Sequence, residues 1–196
     1  MSTSGVYGMF YEGILKSTYN HFDSSIDSLG REMIMTIMKY DIEYLKHTFN
    51  YIRLCDENYR LSRDEKKICV NNKLWRNVDD GKNIYAYLRE SQGSFDMYIN
   101  RILPYMIDGN GLYLDLTRDE MGYIIDLDRE ALHVYSADAS ITSKCEYRGS
   151  VSFNNIKKHM DNVEFLIDVL KVTVMRPTNH VLTTEFLKGD ILPKEG

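Results

Sequence analysis

The strongest constraint on this chain is Glu12-Gly13, a turn pair set between two β-prone runs, Val6 to Tyr11 and Ile14 to Tyr19. A two-residue loop containing glycine matches the twist of two antiparallel strands, because glycine accepts positive φ without a Cβ clash. The chain therefore opens on a β-hairpin. A second hairpin is predicted where Gly122 to Leu127 and Ala131 to Tyr135 flank Asp128-Arg129-Glu130. Val151-Ser152-Phe153 reads as one more strand.

Helical signals lie between and after the hairpins. Met33, Ile34, Ile37 and Met38 fall on one face of a 3.6-residue period, after a polar strand-to-helix loop from Asn20 to Ser28. Asp41 is placed to cap a second helix with the stripe Ile42, Leu45, Phe49 and Ile52. Ser62-Arg63-Asp64-Glu65 fits a capping box for a short helix toward Val70. Two more short helices are expected over 83–88 and 95–103, the second ended by Pro104, and a single helix over 156–172. Strands and helices segregate along the chain, which predicts an α+β fold: an antiparallel sheet from the two hairpins, covered by helices. A length of 196 residues fits one domain spanning 1–196, and no internal repeat is evident.

Charge narrows the function classes. Twenty-nine acidic against 24 basic residues leave a net charge of −5, without the basic footprint that a nucleic-acid polymer requires. The three cysteines, Cys55, Cys69 and Cys145, show no Cys-x-x-Cys spacing, so neither a disulfide framework nor a structural zinc is expected. No apolar run approaches the roughly 18 residues of a spanning helix, and the start lacks a signal-peptide pattern. The expectation is a cytoplasmic protein without a membrane partner.

Three groups of residues could carry chemistry. In Tyr19-Asn20-His21-Phe22-Asp23-Ser24, a continued strand would put Tyr19, His21 and Asp23 on one face, with the carboxylate holding His21 for proton transfer. The alternative gives Asn20 and Asp23 to turn hydrogen bonds and Ser24 to helix capping. The second group is the start of the chain: removal of Met1 leaves Ser2 with a free α-amino group, a known nucleophile design, although serine there is also commonplace. The third is Asp126-x-Asp128 with Asp115 upstream, whose oxygens would suit Mg²⁺. Here the turn reading prevails: Asp126 bonds toward the first hairpin, Asp128 closes the turn beside Arg129, and no metal site is expected. His133 and Tyr135, two apart on one strand, read as a surface pair.

The pattern resembles a scattered family of small proteins from fungi, bacteria and large viruses with a Gly-Thr-Arg-Gly hairpin, a Tyr-Asn-His-x-Asp-Ser block, Gly-Leu-Gly and a Tyr-x-Ile-Asp-Leu-Asp strand. The matching pieces are Thr3 and Gly5, Tyr19 to Ser24, Ser28-Leu29-Gly30, and Tyr123 to Asp128. Ser2 and Ser4 stand where that family has glycine and arginine. The opening is also similar to N-terminal-nucleophile hydrolases of the bile-salt-hydrolase type. The abundance of Tyr, Asn, Ile, Met and Lys is similar to proteins of large tailed phages, which implies action on a nucleotide-like defence signal.

These readings predict a metal-independent hydrolase, without cofactor, of a small polar, nucleotide-derived molecule. His21 acts as acid and base, oriented by Asp23. Ser2 or Thr3 stands near the reacting centre, Asn20 is the oxyanion donor, and Tyr19 and Ser24 contact the substrate. The alternative is a noncatalytic protein that uses the same loop to sequester a small ligand or a host protein. Homo-oligomerisation is left open.

Overall fold

The computed structural model describes residues 4–71, 95–101, 104–110, 120–137 and 145–175. The expected first hairpin is β1 (Gly5–Tyr11) and β2 (Ile14–Asn20), in register from Gly5 opposite Asn20 to Tyr11 opposite Ile14. Both turn residues take positive φ, 51° at Glu12 and 75° at Gly13, as a primed two-residue turn requires. The second hairpin is β5 (Met121–Asp126) and β6 (Ala131–Ala137). The last strand, β7 (Cys145–Ser152), adds antiparallel to β6. Arg148 is the extra residue of a bulge there, and Gly149, at φ 145°, supplies the conformation next to it.

The two hairpins join into a five-stranded sheet of order β2-β1-β5-β6-β7. They join through β1 and β5, which run parallel, Gly5 beside Met121 and Phe10 beside Asp126. The sheet is therefore mixed, with one parallel pair among antiparallel ones, where the sequence predicts antiparallel pairing throughout. A two-stranded parallel ribbon, β3 (Arg53–Cys55) with β4 (Tyr105–Ile107), stands beside it.

After β2 the chain makes one wide turn of helix over Ile26–Gly30, then α1 (Arg31–Lys39) and α2 (Ile42–Tyr51). Asp41 caps α2 by accepting from the Tyr44 N–H at 2.7 Å. In α3 (Arg63–Asn71) the capping box is reciprocal: the Ser62 N–H donates to Glu65 at 2.6 Å, and the Glu65 N–H to Ser62 Oγ at 3.3 Å. The helix expected over 95–103 is a single turn, α4 (Asp96–Ile99).

The helix expected over 156–172 is two. Phe153 does not extend a strand; it begins α5 (Phe153–Lys158), capped by Ser152 Oγ accepting from the Asn155 N–H. The chain breaks at 159–162, and α6 (Val163–Met175) restarts with Asn162 Oδ1 accepting from the Phe165 N–H at 3.1 Å. The apolar period runs through the break, whereas the capping chemistry marks it.

One face of the sheet, with Tyr7, Met9, Tyr123, Ile125, Leu132 and Val134, packs on the helices through Ile34, Ile37, Phe49, Phe153, Ile156 and Ile167 in one buried cluster. Val6, Ile124 and Tyr135 form a smaller buried cluster, joined by Phe10, Leu15, Tyr19 and Tyr147. The fold is α+β. Among the described residues no helix is long and apolar enough to cross a membrane.

Candidate functional site

The parallel pairing of β1 with β5 decides what meets at one end of the sheet. Because Gly5 lies beside both Asn20 and Met121, the residues next to them, Ser4, His21 and Glu120, come to the same edge. Ser4 Oγ donates to Glu120 Oε1 at 2.6 Å, and the Tyr19 hydroxyl lies 3.4 Å from the same oxygen. The exposed His21 ring stands edge-on to Tyr19, with ring centroids 4.7 Å apart. A half-buried carboxylate and phenol and an exposed imidazole thus form one row at the sheet end, with a serine hydroxyl on the carboxylate. Ser2 and Thr3 lie outside the described residues, as do Asp115 and the helix expected over 83–88.

The rest of the expected site turns the chain. Strand geometry ends at Asn20, so Asp23 does not continue the face of Tyr19 and His21. The Asp23 carboxylate instead accepts from the Ser25 N–H at 2.9 Å. Asn20 is buried; its amide donates to Ser24 Oγ at 2.7 Å, while its carbonyl oxygen accepts from the Phe22 N–H at 3.2 Å. Ser24 is fully buried under Gly5, where a Cβ on the glycine would meet the Met121 carbonyl and the Ser24 side chain. Tyr123 donates its hydroxyl to the Ser24 carbonyl at 3.0 Å and passes Gly30, where a Cβ would stand 3.2 Å from its ring. The segments Tyr19 to Ser24, Ser28 to Gly30 and Tyr123 to Asp128 therefore meet as a packing unit that holds the loop against the sheet. Tyr19 and His21 are carried on its surface.

At the opposite end of β5 the two aspartates exchange the roles read from sequence. Asp126 closes the turn: its Oδ1 accepts from the N–H groups of Asp128 and Arg129, each at 2.9 Å. Asp128 reaches the first hairpin, accepting from the Glu12 N–H at 3.2 Å. The Arg129 guanidinium pairs with Asp126, Nη1 lying 3.2 Å from Oδ2. His133 is buried, not at the surface, with Nε2 3.3 Å from Asp126 Oδ2 and Nδ1 3.3 Å from the Tyr147 hydroxyl. Burial alone would raise the Asp126 carboxyl; the His133 imidazole and the Arg129 groups outweigh it and hold it below the ordinary aspartate value. The carboxylate and imidazole of this chain are buried in the sheet, with the half-buried Tyr147 at its outer end, and its first task is to satisfy a buried charge.

Ser4 and Glu120 are the members of the sheet-end row that the sequence reading missed. Glu120 directly precedes a strand, but only the non-local register of β5 on β1 brings it to Ser4. Among the described residues no three histidine, cysteine or acidic side chains group as metal ligands would. Comparison of the chain with protein-family models, curated proteins and solved structures returns no match.

Proposed function

We propose that the protein is a metal-independent hydrolase of a small polar, nucleotide-like molecule, working in the cytoplasm at the end of the sheet where β1 begins and β2 ends. The observation that carries this reading is the sheet-end row Glu120–Tyr19–His21, with Ser4 on the same carboxylate. An exposed imidazole held against a phenol is a group able to move a proton to or from a bound molecule. The two aromatic rings offer a base or sugar a face to pack on. Ser2 and Thr3, next along the chain from Ser4, supply the nucleophile in this scheme. Glu120 takes the part of the local carboxylate that Asp23, tied to Ser25, was expected to play. The resemblance of the opening to N-terminal-nucleophile hydrolases points the same way.

A second reading, a noncatalytic binder, is favoured by one specific observation: Asn20, Asp23 and Ser24 all bond within their own turn. Incubation with a panel of nucleotides, followed by denaturation and mass spectrometry, separates the two. Cleaved product formed equally well in excess EDTA supports the hydrolase. Ligand recovered intact supports the binder, and product lost on chelation and restored by Mg²⁺ overturns metal independence.

A further inference from the structure

A groove of about 730 Å³ runs along α1, and none of Ser4, Tyr19, His21 and Glu120 lines it. That volume falls within the range of small-molecule sites. Its walls are Met35, Met38, Met160 and Val163, with Glu32 and Asp96 at the α1–α4 junction. Met35 and Met160, from α1 and the break before α6, are 53% and 52% exposed, so their thioethers are open to a ligand in the groove. Unbranched thioethers adapt to ligands of differing shape.

The charges around the groove sort into matched and unmatched. Arg31 is held by Glu164 through two bonds of 2.6 and 2.9 Å, and Asp27 by Lys171 at 2.8 Å. Lys39 lies 4.9 Å over the ring of Tyr40. Two acids on the wall, Glu32 and Asp96, share that one cation, whose charge acts on Asp96. Glu32 Oε1 accepts the Asp96 backbone N–H at 3.1 Å, which brings its carboxylate to the start of α4. Burial, and behind it the Asp96 charge, raises the Glu32 carboxyl above its ordinary value, and a cation beside it offsets the Asp96 charge.

We propose that this groove binds a small amphipathic amine, its ammonium on Glu32 and Asp96 and its apolar body between Met35 and Met160. The test is NMR of the protein carrying ¹³C-methyl methionine, titrated separately with n-octylammonium, octanol and octanoate. Octylammonium is expected to shift the Met35 and Met160 methyls saturably and to bind at least tenfold more tightly than octanoate. Glu32→Gln is expected to weaken it about tenfold, the worth of one charge-assisted bond. Met35→Lys, which sets a cation beside the two acids on an exposed position, is expected to abolish the Met160 shift while leaving the NMR spectrum otherwise folded. Equal binding of octanoate, or no saturable shift at these methyls, overturns the proposal. So does a dimer in sedimentation that Met35→Lys dissociates, because the groove then belongs to a second copy of the chain.

Discussion

At the scale of single residues, the same short block both shapes and arms the loop. Asn20 and Ser24 are buried and bonded to each other, whereas His21 between them is exposed against Tyr19. Substitutions in the block therefore divide by effect. Tyr123→Phe strands the Ser24 carbonyl in a buried place and is expected to cost about 1–2 kcal/mol in urea unfolding. Asp126→Ala removes the partner of Arg129 and His133 and the acceptor of two turn N–H groups, with an expected loss of about 3 kcal/mol. The sign of its pH dependence follows from the depressed carboxyl. The Asp126 contribution is fully present above the unfolded-state value near about 3.9 and is lost as pH falls through the lower folded value. The stability gap between wild type and Asp126→Asn should therefore narrow below about pH 4 in acid titrations followed by circular dichroism. A gap constant down to pH 2 would contradict the assignment.

At the scale of elements, local chemistry was legible and non-local pairing was not. Glu12-Gly13, the Asp41 cap and the Ser62–Glu65 box each act within a few residues, and each has the geometry its sequence implies. The break before α6 could have been read from Asn162, a capping residue, had the apolar period through Met160 not spoken for one helix. The parallel join of β1 to β5 carries no such local mark, since each residue lies 116 positions from its partner and nothing in either strand encodes direction. For the same reason Glu120 was invisible as a partner of Ser4, and His133 was misjudged. Its alternation with Tyr135 gave the right face, but not that the face is buried. The exchange between Asp126 and Asp128 is a register effect of the turn, which a shift of two residues decides.

The edge of the sheet offers another prediction at this scale. β2 is an outer strand, and the 108–110 loop covers it: the Gly109 N–H donates to the Ser17 carbonyl at 2.8 Å, while Asn110 accepts from the Ser17 N–H and donates to the Leu15 carbonyl. An unpaired edge invites association. A Cβ at Gly109 would stand 2.8 Å from Thr18 Cα, so Gly109→Ala must lift the loop off the strand. The variant is expected to lose about 1–3 kcal/mol and to self-associate at concentrations where wild type does not, as read by light scattering. Unchanged stability would mean that the loop does not guard the edge.

At the scale of the whole molecule, one topological choice makes the candidate site. Setting β5 parallel to β1 carries the buried Asp126–His133 pair to one end of the sheet and the row of Ser4, Glu120, Tyr19 and His21 to the other. The first end fixes the fold, and the second carries the site we propose. The central claim is that His21 moves a proton in hydrolysis, and the direct measurement is the turnover of a cleaved nucleotide by wild type and by His21→Ala, together with their unfolding midpoints. The account predicts a rate lower by about a hundredfold or more, the usual worth of positioned proton transfer, at an unchanged midpoint. Full activity in His21→Ala would contradict it.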